Sequence, residues 1–271
     1  MGLSLTVSEI LRPLRNARLV ALSLAVNFVI VPAVAFALSR IIPLGQDVQI
    51  GLLLIGTAAG APFLPKLAQI AKADIAFAVG LMTILMLVTI VYLPIVLPLL
   101  LSGIKVSAPQ IALSLIATML LPLAIGLLIK ARYEEVAQAM QPTMTQISTI
   151  SLALLLVLML PLNFKNVLAL FGTGAIITTI LFIVISVLGG YLLGGPHAKT
   201  KQVLALGTGQ RNLSAAFIIA TSNFANQPGV LVYVAAAGLV GMVVLFPVAG
   251  EFGKRAKAMP GTDQPAVSGQ A

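Results

Sequence analysis

The chain has 271 residues, 59% hydrophobic and only 8% charged, with a mean hydropathy of +1.10 and a net charge of +9. So little polar surface excludes a soluble globular domain and leaves a polytopic membrane protein. Cysteine is absent, which excludes disulfides and thiolate metal sites.

A helix needs about 20 apolar residues to cross about 30 Å of hydrocarbon. By that measure there are eight spans, near 18–43, 46–71, 75–101, 108–131, 143–163, 166–194, 202–222 and 228–250. The runs are long and show no strand alternation, so the fold class is all-α. Residues 1–17 are a polar-interrupted N-terminal segment and not a signal peptide, because Glu9, Arg12 and Arg15 break any apolar core.

The second span interrupts itself. Gly51, Gly56, Gly60, Pro62 and Pro65 fall within one hydrophobic stretch, and two prolines three apart cannot both sit in an unbroken helix. Freed carbonyls at membrane depth are tolerated where they line a protein-enclosed or watery cavity. Lys66 follows directly. Pro65 suits the start of a resumed half-helix, where a lysine is unfavourable unless an anion joins it. The other reading of Lys66 is a stem that snorkels about 9 Å to the interface near Lys72. The Gly56–Gly60 spacing points to close helix approach within the chain.

The seventh span has its own break, expected at Gly207-Thr208-Gly209 and followed by the polar run Gln210-Arg211-Asn212. Arg211 lies about 15 Å along a helix from Lys201, too deep to snorkel comfortably. A cation at mid-bilayer costs about 2.5–3.5 kcal/mol even on the lenient insertion scale. Three roles are open to it: an anion contact, a tethered cation in an ion position, and a cap on freed carbonyls. Thr208, Gln210 and Asn212 are the polar groups beside it, and Asn27 is a polar group in the first span. After Lys257 the tail is polar and Pro/Gly-containing, and residues 251–271 are expected to be cytoplasmic and largely disordered.

The charges fix a topology. One side receives Arg12, Arg15, Arg18, Lys72, Lys130, Arg132, Lys199, Lys201, Lys254, Arg255 and Lys257, the other only Arg40, Lys105 and Lys165. That bias places both termini in the cytoplasm, and it accounts for the basic excess without a nucleic-acid partner. Interrupted segments in corresponding positions of two halves point to a transporter binding site. The breaks lie five spans apart, so they run antiparallel, as an inverted repeat requires. Each repeat would hold five spans; the second is complete in spans four to eight, and the first lacks two before Arg18.

These residues resemble the bile acid:sodium symporters and their bacterial and plastid relatives. The opening MGLSLTVSEILRPLRNARLVALSLAVNFVIVPAVAFALS is similar to that family's second helix running into its third. Gly51–Asp74 resembles its fourth helix and Leu204–Phe224 its ninth. The resemblance implies a ten-helix fold in which two discontinuous helices cross near mid-membrane. It implies a core of residues 18–101 and 166–250 and a panel reduced to 108–163, with two helices missing in front. In sodium-coupled members a Ser-Asn pair stands where this chain has Leu64 and Pro65, a glutamate where it has Gly207, and a glutamine where it has Arg211. The third-helix glutamine corresponds to Asn27, and Asn212 is retained. The family's sodium ligands therefore do not carry over, and sodium binding is expected to be weak or absent.

No catalytic constellation or Walker loop accompanies these features, so the chain is not read as an enzyme. The expected function is an inner-membrane secondary transporter of a small organic anion, with Arg211, Asn212, Asn27, Lys66, Thr208 and Gln210 as its substrate residues. No cofactor is expected, and the lipid bilayer and the anion are the partners. Two alternatives stay open: a sodium-coupled symporter with relocated ligands, and a non-transporting membrane sensor or subunit.

Overall fold

The computed structural model describes residues 3, 16–101, 106–162 and 164–258. The expected tail beyond Ala258, nearly all of the N-terminal segment before Asn16, and Lys105 lie outside the described residues. Every regular element among the described residues is helical. Helix α1, Ala17–Ile41, opens on an Asn16 cap whose Oδ1 accepts the Leu19 N–H at 3.1 Å. It widens into a π turn at Val26–Ile30, within which the Phe28 carbonyl accepts the Tyr92 hydroxyl at 2.6 Å.

The second span is two half-helices, α2 (Gln46–Thr57) and α3 (Leu64–Ile70). Ala58 turns extended, Gly60 takes φ +78°, and Pro65 is the second residue of α3. Helices α4 (Ile75–Leu100), α5 (Ala108–Arg132) and α6 (Glu134–Leu162) follow. The α6 start lies nine residues before the expected 143. Its first two turns are too polar for a span, yet Glu134 and Glu135 suit the positive end of a helix.

The sixth span divides into α7 (Phe164–Leu170) and α8 (Ala175–Leu193), because Gly174 at φ +74° starts a new helix. The seventh is α9 (Ala198–Gly209) and α10 (Leu213–Asn223). The expected break at Gly207-Thr208-Gly209 is corrected: those residues stay helical, and Gln210–Asn212 form the interruption. The two glycines serve packing instead. A Cβ on Gly209 would come within 2.4 Å of Val187 in α8. Helix α11, Pro228–Ala258, outlasts the expected 250, and Arg255 pairs with Glu251 one turn earlier at 2.9 Å.

Helices α1, α4, α5, α8 and α11 are each long and apolar enough to cross a membrane, so the chain is an all-α polytopic membrane protein. The two interrupted spans pass each other at their breaks. The Asn212 N–H donates to the Ala58 carbonyl at 2.9 Å, and its Nδ2 donates to the Gly60 carbonyl at 3.1 Å. The packing around the crossing has a two-fold pattern. Helix α1 packs on α2 as α8 packs on α9, and α4 packs on α3 and α9 as α11 packs on α10 and α2. That correspondence is what an inverted repeat produces. Gly56 and Gly60 mediate contacts within the chain, against Ala35 of α1 and the Leu85–Met86 backbone of α4. Helices α5 and α6 leave many apolar side chains exposed, such as Leu113 and Leu128 of α5 and Val157 of α6.

Candidate functional site

A helix leaves its last four carbonyls without intrahelical partners. In α2, Leu54 finds the Ala58 N–H at 3.1 Å; of the three that remain, Ile55 and Gly56 find donors on another span. Arg211 satisfies both: Nε donates to Ile55 at 2.9 Å and Nη2 to Gly56 at 2.8 Å. Its Nη1 donates to the Thr208 carbonyl, in the last turn of α9, at 3.3 Å, and to Asn27 Oδ1 at 2.9 Å. One guanidinium thus bridges the C-terminal ends of both half-helices, where the two dipoles present negative potential. Such ends, with unwound carbonyls, are where broken-helix transporters hold cations. The residue is only 6% exposed, and the ion pairs found among the described residues involve other side chains.

The supporting residues are buried with it. Asn27, in the π turn of α1, donates from Nδ2 to Ser23 at 3.0 Å and to Thr208 Oγ1 at 3.3 Å while Oδ1 receives Arg211. Asn212 holds the two breaks together and also caps α10, its Oδ1 accepting the Ala215 N–H at 3.1 Å. Of the sequence-derived candidates, Arg211, Asn27, Thr208 and Asn212 therefore converge. Lys66 does not join them; it is exposed on α3 and donates to Gln69 at 3.1 Å. Leu64 is buried against Gly207, whose added Cβ would come within 2.9 Å of Leu64 Cδ2.

Gln210 adjoins the cluster without bonding to it. Its Oε1 is buried, and its side-chain amide makes no hydrogen bond among the described residues. It lines a small cavity of about 50 Å³, walled by parts of α2, α3, α8, α9, α10 and α11. Arg211 and Gln210 are its polar lining; Phe63, Phe182, Met242, Leu245 and Phe246 form most of the wall.

Two features had little signal in the sequence. The Ile55 and Gly56 carbonyls are backbone groups that no residue letter announces. Thr89 of α4 gives its hydroxyl to the Ala59 carbonyl at 3.0 Å and accepts the Ala59 N–H at 3.1 Å. Its signal was faint: one hydroxyl among three in an apolar span, with Thr83 and Tyr92, of the kind that helices in membranes use to bond across an interface.

The model of the Sodium Bile acid symporter family matches residues 1–170, which includes the first break and ends before the second. Among known proteins, the chain is 25% identical over 237 residues to "Uncharacterized sodium-dependent transporter YocS" of Bacillus subtilis (strain 168), covering 83% of this chain and 71% of that one. It is 20% identical to "Probable sodium/metabolite cotransporter BASS3, chloroplastic" of Arabidopsis thaliana, covering 82% and 53% respectively. For "Probable sodium/metabolite cotransporter BASS2, chloroplastic" of Oryza sativa subsp. japonica the identity is 25%, over 83% and 55%. The chain thus spans little more than half the length of the plastid relatives. With its broken, crossing helices and more than half its length matched, the chain belongs to the sodium bile acid symporter family, whose members are membrane transporters and not enzymes.

Proposed function

We propose that this chain is a secondary carrier for a small organic anion, in which the Arg211 guanidinium stands where sodium-coupled relatives hold their coupling ion. One observation carries the reading: a single side-chain cation donates to Ile55, Gly56 and Thr208 at the C-terminal ends of two crossing half-helices. A sodium ion takes a shell of oxygens, and the guanidinium already occupies an all-oxygen set that includes Asn27. Leu64 supports the same reading. It fills the space into which a Gly207 side chain would project, so the pair forms an apolar contact where the family resemblance implies ion ligands.

Four of the five guanidinium N–H groups are committed to the protein. Arg211 therefore offers an anion its positive potential and one spare donor rather than a two-pronged grip. Transport would be uniport or exchange, by alternating access of residues 18–101 and 166–250 against 108–163. The chain would sit in the inner membrane with both termini cytoplasmic, since the basic residues divide eleven to three across the spans.

The test is uptake of a panel of radiolabelled organic anions into proteoliposomes, in sodium and then in potassium. Equal uptake in both salts is expected. Uptake confined to sodium sinks the surrogate reading and favours a symporter with relocated ligands. No uptake of any anion, from protein shown to be folded, sinks the carrier.

A further inference from the structure

We infer that the ends of α8, α9 and α11 form a headgroup site for an anionic phospholipid, with the Lys201 ammonium as its phosphate contact. The site lies at the membrane boundary, away from the crossing, and does not depend on what the chain carries.

The side of the spans where Lys and Arg concentrate carries basic groups that are not equivalent. At the α5–α6 turn, Lys130 is paired with Glu134 at 2.7 Å. On α11, Arg255 is paired with Glu251 at 2.9 Å. Lys201 of α9 has no carboxylate within ion-pairing distance among the described residues. Its Nζ instead stands 5.7 Å from the centre of the Tyr191 ring, and Tyr191 stacks on Phe252 of α11 at 5.9 Å. A ring face attracts an ammonium but leaves its N–H groups unspent. The flexible lysine stem is thereby ordered in advance, which lowers the entropy that binding must offset.

Two further features select the ligand, and the first is surplus charge. Lys199 starts α9, and Arg18 of α1 borders the α8–α9 loop, since Leu19 beside it would lie 3.6 Å from a Cβ on Gly195. Lys254 follows Phe252 by two residues and is exposed. Lys199 and Lys201 also occupy the positive end of α9, whose first turn holds no acidic side chain. Cations there are unfavourable until an anion joins them.

The second feature is contact with lipid. Ile177, Leu181, Val184, Leu188 and Tyr191 are all exposed, at the spacing that puts them on one side of α8. They form an apolar row about 21 Å long that ends at the ring holding Lys201. A soluble anion has no use for such a row. A phospholipid lays its acyl chains along it and brings its phosphate to the ammonium, as anionic headgroups do in basic pockets between spans. A choline headgroup would carry its own cation into the surplus, so lipids with a net negative charge are favoured.

The test is lipid binding to the purified full chain in detergent, read by native mass spectrometry and by the unfolding midpoint. Phosphatidylglycerol, phosphatidylcholine and inorganic phosphate are the probes. Phosphatidylglycerol should stay bound and raise the midpoint, phosphatidylcholine should do so weakly, and phosphate should leave it unchanged. Lys201→Gln should weaken phosphatidylglycerol binding about fivefold, the worth of one lysine at an anionic surface. Tyr191→Leu keeps the apolar row but releases the lysine, and should weaken binding by less. Lys130→Gln, at a paired position, should change nothing. Should Lys201→Gln fail to fold, Lys199→Gln combined with Lys254→Gln carries the same test on exposed side chains. Equal binding of the two lipids, undiminished binding in the folded basic-site variants, or as large a loss in Lys130→Gln each overturns the inference. A midpoint raised equally by phosphate alone means a site for soluble anions and overturns it too.

Discussion

The breaks in α2–α3 and α9–α10 are related by the repeat but solve the same problem in opposite ways. Each must satisfy backbone groups that a continuous helix would have paired. The first does so with rigid neighbours, since Thr89 clasps Ala59 and Gly60 takes φ +78° against the α4 backbone. The second is shorter, only Gln210–Asn212, and sends its own side chains across the crossing: Arg211 to the end of α2 and Asn212 to Gly60. Its far side, toward α11, stays open. The first break is thus closed by its neighbours and the second by its own side chains, within one pseudosymmetric frame.

Removing the shared cation should have the largest effect. Arg211→Leu leaves the Ile55 and Gly56 carbonyls buried without donors, at about 1–3 kcal/mol each. Relief of the buried charge opposes that loss, and the net expectation is a clear drop in the midpoint of unfolding in detergent. Arg211→Lys keeps the charge but has no planar fork to reach two carbonyls, so it should fall between. A Leu variant as stable as the parent would mean the two half-helices do not need a cation between their ends.

Gly60→Ala should come next. Left-handed backbone costs a non-glycine residue about 1–2 kcal/mol. The added Cβ would also sit 2.2 Å from the Met86 nitrogen, where backbone must move. Thr89→Val is gentler, removing two hydrogen bonds for about 2 kcal/mol in all. Its sharpest control is Gln210→Leu at the other break, which loses no hydrogen bond and should leave stability within about 0.5 kcal/mol. Equal losses from Thr89→Val and Gln210→Leu would erase the distinction between a sealed and an open break.

How much of this was legible in the sequence depends on which atoms carry each feature. The spans were readable because 20-residue apolar runs are written in side chains. The first break was readable because Pro62 and Pro65 forbid a continuous helix. The second was displaced by a few residues, since glycine permits a break without requiring one, and Gly207 and Gly209 proved to be packing sites against Leu64 and Val187. Arg211, Asn27, Thr208 and Asn212 stood out as polar groups in apolar surroundings, and the fold gathers them. What Arg211 holds was not legible, because its main partners are carbonyls. Lys66 looked equally exceptional on the page, yet α3 turns it outward to Gln69. The cavity was invisible, because it depends on Gly241, Ile183 and Gln210 meeting from three different elements.

The smallest prediction isolates the open side. Gly241 lies in the interior of α11, where a glycine is less favourable than alanine by about 0.5–1 kcal/mol. A Cβ there would make one ordinary contact, with Ile183 Cδ1 at 3.7 Å. Gly241→Ala should therefore raise the unfolding midpoint slightly, opposite in sign to Gly60→Ala, because its methyl enters a small cavity instead of meeting backbone. A Gly241→Ala protein less stable than its parent would mean that α11 packs as tightly on the second break as α4 does on the first.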